Sequence, residues 1–334
     1  TVEHYNPARI TVRDKILMIL DEKMRKDEAT RLRYASKYAR ISNSWKRWKG
    51  EILGIERTHA IEAMRKEERL FEQTCKAIPE LQSEQHLVAE MVDLYTKRRP
   101  INMERYAYIE VGYFGIEAFR HVLGYGKLVS LAEAGRTEEL NAEAERLAKA
   151  MEGFKKDYDY DLDLKVAKNI LPMYLKAIKT EPGEEVRELQ GKDMNEQVEE
   201  IAEMFEDAPY FAGDFSEKLL KDPAKMAKKI ADDDLYELSW EMYDHYFQVL
   251  NARNREYELK IEALQARYVR ALQRAFPKKP FYPDANSTLR VAYGQVKSYE
   301  ARDAVIYQSQ THLSGVMEKY IPGDYEFDLP QKLI

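Results

Sequence analysis

The stretch from Tyr34 to His59, YASKYARISNSWKRWKGEILGIERTH, decides the fold. Its large residues Tyr34, Tyr38, Ile41, Trp45, Trp48, Ile52 and Ile55, ending at His59, advance in alternating steps of four and three. That spacing returns each side chain to one face of an α-helix and predicts a single helix from Glu28 to about Lys76. At about 100° per residue, Ser36, Ala39, Asn43, Arg47, Gly50 and Gly54 form a second stripe roughly opposite the first. Most of these are small, and a glycine inside a helix costs about 1 kcal/mol relative to alanine. Two glycines on one face call for something that comes close, the plain case being a tightly packed neighbouring helix.

Helical spacing continues on both sides of this stretch. Ile16, Leu17, Leu20 and Met24 predict a helix over Ile10 to Lys26. Downstream, Leu81 to Arg99 reads as a helix stopped by Pro100, and Met103 to Ala134, interrupted by four glycines, reads as helical pieces. A helix starting at Thr137 carries Glu138 and Glu139 in its first turn, and Leu162 to Ile178 holds Pro172 as a kink. After the Pro182-Gly183 break come shorter helices over Val186 to Phe205 and Pro209 to Pro223. Asp232 to Phe276 then forms a second long helix, with Leu235, Leu238, Met242, Tyr246 and Val249 on its apolar side.

At Pro277 the texture changes, because Pro277, Pro280 and Pro283 cannot share a helix interior. Beyond them Thr288 to Val296 alternates like a strand, with Leu289, Val291 and Tyr293 on one side, and Pro322-Gly323-Asp324 reads as a turn. The expected fold class is mainly α, an elongated multi-helix bundle over residues 1–276. Residues 277–334 are expected to be a partial, β-containing segment of a different unit.

Composition agrees with long helices: 34% of the 334 residues are charged and 44% hydrophobic, while Gly and Pro number only 14 and 12. Basic and acidic residues, 53 and 59 of them with a net charge of −6, are interspersed, so no electrostatic footprint for nucleic acid is expected. No apolar run nears the roughly 20 residues needed to cross a bilayer. A single cysteine, Cys75, excludes an intrachain disulfide and a multi-cysteine metal site. The start at Thr1 and the end at Leu333-Ile334 read as boundaries of a piece of a longer chain.

A self-contained catalytic site is not legible. Nucleophilic catalysis needs a nucleophile, a base and an orienting group, yet His4, His59, His86, His121, His245 and His312 stand beside no recognisable nucleophile motif. A di-metal carboxylate centre needs Glu-x-x-His pairs. Glu117 and His121, like Glu241 and His245, are four apart, and His59 with Glu62 reverses the order, so neither metal nor cofactor is expected. Gly50 and Gly54 belong to helical periodicity and not to a phosphate loop. Arg40, Lys46, Arg47 and Lys49 around Trp45 and Trp48 could stack on bases, but both Trp lie on the core stripe. Asn286-Ser287-Thr288 matches a glycosylation triplet of the kind that arises by chance.

One likeness goes further. Tyr34 to Lys46, YASKYARISNSWK, resembles the helical-domain signature of the bacterial serine dipeptidyl-peptidase family that contains dipeptidyl-peptidases 7 and 11. Tyr282 to Arg290, YPDANSTLR, with Tyr293-Gly294-Gln295-Val296, is similar to the segment where that family's chain re-enters its catalytic domain. Gly315 to Lys319 and Phe327 to Pro330 continue the likeness in the same order. The resemblance implies a helical domain that caps the cleft of a chymotrypsin-like double barrel and restricts it to free peptide N-termini. It also implies that Asn43, in the Asn-x-Trp-Lys motif, binds the substrate's N-terminal ammonium, and that the small-residue face serves this approach. No catalytic residue is carried over, since the family's triad falls outside the matched motifs; this stretch alone is expected to be inactive. The family implies an oligopeptide substrate, a homodimeric parent and a periplasmic or cell-surface location. The alternative is a non-enzymatic helical interaction domain.

Overall fold

The computed structural model describes residues 1–282, 287, 289, 291–324 and 326–334. The helices are α1 (Tyr5–Lys26), α2 (Glu28–Arg57), α3 (Ala60–Ala77), α4 (Leu87–Tyr108), α5 (Glu117–Leu123), α6 (Gly126–Glu133) and α7 (Thr137–Asp157). They continue as α8 (Tyr160–Ala177), α9 (Glu184–Gly191), α10 (Met194–Asp207), α11 (Phe215–Lys221), α12 (Pro223–Ala231), α13 (Asp234–Asp244), α14 (Asn251–Ala275) and, in the C-terminal region, α15 (Leu313–Met317). Strands β1 (Tyr299–Arg302) and β2 (Val305–Tyr307) form an antiparallel pair. The chain falls into two units, Thr1–Lys278 and Lys279–Ile334. As expected, the fold is mainly α with a short β-containing C-terminal segment.

The first unit is built outward from α1 and α2. Asp27 ends one helix and caps the next, its carboxylate accepting the backbone N–H groups of Ala29 and Thr30 at 3.2 and 3.1 Å. This is the N-cap role that suits Asp, because it satisfies donors the first helical turn leaves free. The two helices then run antiparallel, as the pairings Asn6 with Glu51 and Arg13 with Ile41 show. Ile16, Leu17, Leu20, Tyr34 and Ile41 enter one apolar core that continues through α5, α6, α7, α8, α10 and α13. A second core joins Phe71, Cys75 and Leu87 to Ala271 and Ala275 of α14. Gly115 marks a tight crossing: a Cβ there would lie 2.3 Å from Ile170 Cδ1 of α8 and 2.7 Å from the Glu110 carbonyl oxygen.

Four expectations change. The helix from Glu28 does not reach Lys76 unbroken, because His59 adopts the left-handed conformation at φ 51° and starts α3 in a new direction. Pro100 does not stop α4; it sits inside it, where the missing N–H removes one bond and the remaining turns carry the helix on. The Val186 to Phe205 region is divided at Lys192–Asp193, where Asp193 and Glu196 form a capping box for α10. Finally, Val291 to Val296 takes no regular structure, and the strands lie further along. They close around Ala304 at φ 60°, with Tyr299 and Tyr307 stacked 5.2 Å apart. Pro283 to Asn286, Thr288 and Arg290, which carry most of the YPDANSTLR motif and the glycosylation triplet, lie outside the described residues.

The long helix expected over Asp232 to Phe276 runs as α13, a π-helical stretch (His245–Leu250) and α14. A second π-helical stretch, Ile109–Tyr113, extends α4. Tyr108 and Tyr246 stack at 4.5 Å between them. Such widened turns rotate the side chains that follow and are common near functional sites.

Candidate functional site: the two faces of the second helix

α2 has one anchored face and one free face. On the anchored face Tyr34, Ile41 and Trp48 are buried, while Tyr38, Trp45, Ile52 and Ile55 are half-buried. Ser36, Ala39, Asn43, Arg47, Gly50 and Gly54 on the opposite face are all exposed. A Cβ added at Gly50 or Gly54 would meet no atom within 4 Å. Tight packing of another helix of the described chain is therefore not what these glycines serve. The Asn43 side chain makes no hydrogen bond among the described residues, so its amide oxygen is open to an incoming donor.

The turn that carries Asn43 is held from behind by two consecutive residues of α1. Arg13 Nη1 donates to the Ile41 carbonyl at 2.8 Å, and the Trp45 indole N–H donates to Asp14 Oδ1 at 2.6 Å. Arg13 is in turn fixed by Glu110, whose Oε2 accepts from Arg13 Nε at 2.6 Å and whose Oε1 accepts from Arg9 Nε at 2.8 Å. Arg13 is 3% and Glu110 1% exposed, which makes this a buried ionic cluster. The Arg9 guanidinium lies 3.8 Å over the Trp48 ring and 4.5 Å over Tyr106, and that of Arg13 lies 4.5 Å over Trp48 and 5.2 Å over Phe114. These are the stacked, planar contacts a guanidinium makes and an ammonium does not.

Beside this turn a cavity of about 110 Å³ lies among α1, α2, α5 and α8, lined in part by Tyr34, Lys37, Arg40, Phe114, Glu117 and Asp163. Asp163 has its two oxygens on the N–H groups of Glu117 and Ala118, both at 2.8 Å, and accepts the Tyr158 hydroxyl at 3.1 Å. It thereby caps the start of α5. Complete burial, together with the Glu117 carboxylate, pushes Asp163 up to about 7. Lys37 spans from Glu117 Oε2 at 2.6 Å to the Asp157 carbonyl, tying α2 to both ends of this network.

His121 and His245 are placed as packing groups, whereas His4, His59, His86 and His312 are exposed. His121 stacks on Phe154 at 3.8 Å, and burial holds its imidazole down at about 4. His245 is buried against the Thr180 hydroxyl at 2.9 Å, and desolvation lowers its pKa too. The neighbouring glutamates have other partners: Glu117 pairs with Lys37, and Glu241 accepts the N–H groups of Glu184 and Val186 at the start of α9. Among the described residues no three His, Cys, Asp or Glu side chains are grouped so as to hold a metal ion.

Arg13, Glu110 and Asp163 were not legible as special residues in the sequence. Each is a charge at a core-facing helical position, between Val12 and Ile16, beside Val111, and between Leu162 and Val166. A buried charge of this kind needs partners, and that requirement was the available signal.

The second helix of this bundle thus has an anchored inner face and an open polar outer face, and comparison with known proteins gives the chain a family. A family model described as Peptidase S46 matches residues 1–334, and the chain belongs to that family. It is 36% identical over 337 residues to the Asp/Glu-specific dipeptidyl-peptidase of Flavobacterium psychrophilum, covering 100% of this chain and 46% of that protein. It is 31% identical over 330 residues to dipeptidyl-peptidase 7 of Phocaeicola vulgatus, covering 98% and 45%. The crystal structure of Porphyromonas endodontalis DPP11 in complex with the dipeptide Arg-Glu shares the fold, with a TM-score of 0.76, 24% identity and coverage of 99% and 47%. The chain thus spans a little under half the length of the relatives it matches.

Proposed function

We propose that this chain is the substrate-gating helical part of a serine exopeptidase that removes dipeptides from the free N-termini of oligopeptides. The serine, histidine and aspartate of that reaction are supplied by parts of the protein outside these 334 residues, and the stretch alone is inactive. In the intact protein the open face of α2 meets the peptide, and the Asn43 amide oxygen accepts a hydrogen bond from its terminal ammonium. A carbonyl-type acceptor suits that task, since it binds a cation without neutralising it. With the ammonium fixed, the distance to the nucleophile selects the second peptide bond. The parent acts as a homodimer in the periplasm or at the cell surface of a bacterium.

The observation that supports this most is an exposed Asn43 with no hydrogen-bond partner among the described residues, on a turn held by two hydrogen bonds from α1, in a chain of a peptidase family. The full-length protein is expected to release dipeptides from a peptide with a free N-terminus and none from its N-acetylated form, as read by mass spectrometry. Substituting Asn43→Ala should lower kcat/KM on the free peptide on the order of 10- to 100-fold, the worth of one hydrogen bond to a charged group. An unchanged kcat/KM would remove the role of Asn43, and release of single residues or internal fragments would remove the dipeptidyl reading.

A further inference from the structure

We propose that Arg13 is a positioning residue for Asn43, acting with Asp14 to clamp the Ile41–Trp45 turn from its buried side. The proposal rests on the reading of Asn43 given above. A hydrogen bond to an ammonium tolerates little error in the position of the acceptor, and a displacement near 1 Å can cost a large factor in rate. An asparagine in the middle of a 30-residue helix has its placement set by whatever fixes that helix in translation and in rotation about its axis. Apolar contacts alone allow small slips of this kind; directional bonds do not.

The directional bonds are concentrated at this turn. The Ile41 carbonyl, two residues before Asn43, accepts from Arg13 Nη1, and the side chain of Trp45, two residues after it, donates to Asp14. Both bonds come from adjacent positions of α1, so they fix the turn at two points about one helical turn apart. Arg13 can serve as a reference point because it is itself over-determined. Glu110 holds its Nε, the Trp48 and Phe114 rings lie over its guanidinium, and Glu110 is braced by Arg9. Glu110 comes from the π-helical stretch that ends α4, so the clamp ties α2 to a second element as well as to α1.

Stability alone does not call for such a device. A buried ionic cluster is often no more stabilising than well-packed apolar residues of the same volume, and its best-attested use is to specify register. A planar fork that holds a carboxylate with one nitrogen and a carbonyl with another does so in a way lysine cannot.

The test is a double-mutant cycle in the full-length protein, with kcat and KM measured on a dipeptidyl amide with a free N-terminus. The variants are Asn43→Ala, Arg13→Lys and the two combined. Arg13→Lys is expected to lower kcat/KM on the order of tenfold, and to lower it less than about twofold when Asn43 is already Ala. Thermal melts establish that each variant is folded at the assay temperature. Should Arg13→Lys fail to fold, Asp14→Ala, at an exposed position, replaces it and should show a smaller loss coupled to Asn43 in the same way. A loss at position 13 or 14 that is undiminished in the Asn43→Ala background, or no loss at all, would overturn the proposal while leaving the role of Asn43 intact. No effect of Asn43→Ala by itself would overturn the ammonium reading and, with it, the proposal.

Discussion

His121 and Asp163 are two residues whose protonation the fold controls in opposite senses. Burial against Phe154 holds His121 neutral down to about 4, whereas an unfolded histidine gains its proton near 6.5. Between those values the unfolded chain binds more protons, so this group's contribution is fully present above about 6.5 and is lost as pH falls toward 4. Asp163 runs the other way. Its folded pKa of about 7 lies above the ordinary carboxylate range, so its contribution is greatest below about 4 and is lost as pH rises toward 7. The two slopes oppose each other between about 4 and 6.5. The variant His121→Phe keeps a ring on Phe154 and removes one slope, so its stability relative to the native chain should rise as pH falls across that window. Urea titrations at a series of pH values should show a relative gain of up to about 3 kcal/mol. A pH-independent difference would contradict a buried neutral imidazole.

α2 carries both the legible and the illegible parts of the fold at the scale of elements. Its buried face was readable because Tyr34, Ile41 and Trp48 repeat at helical spacing, and periodicity is set by burial. Its end was not readable. His59 breaks the helix in a left-handed conformation that usually falls to glycine or asparagine, and no proline or glycine marks the place. Pro100 misleads in the opposite direction, since it marks a stop that packing of α4 along α14 overrides. Arg98 reaches Asn254 and Glu258 there, each at 2.7 Å, and holds the helix across the proline. Leu289, Val291 and Tyr293 alternate as a strand would and are exposed instead, because periodicity reports what a segment could bury and not whether a partner is present. Replacing the exposed His59 by glycine, His59→Gly, removes the steric cost of the left-handed backbone and adds some unfolded-state entropy. The net gain in unfolding free energy should be no more than about 1 kcal/mol and positive, measured by denaturant titration; a loss would show that the His59 side chain supports the break.

The two units differ most plainly in what they bury when the whole molecule is considered. Thr1–Lys278 holds both apolar cores, whereas no described residue of Lys279–Ile334 is buried, and Tyr293 is 97% exposed. A segment this rich in exposed Tyr, Val, Ile and Leu has apolar surface to spend on a larger structure, which is how the proposed catalytic barrels would use it. The family itself was legible from two short motifs in order, and the match over residues 1–334 bears that out. The clamp behind Asn43 was not legible, because it joins Arg13, Ile41 and Glu110 from three separate elements, and one sequence does not show which charges meet.

In the proposed function the open face of α2 receives the peptide's N-terminus at Asn43. A structure of the full-length protein with a bound dipeptide tests it directly. The Asn43 amide oxygen is expected to lie about 2.7–3.2 Å from the terminal nitrogen of the dipeptide. A dipeptide whose ammonium is held elsewhere, with Asn43 beyond hydrogen-bond reach, would contradict it.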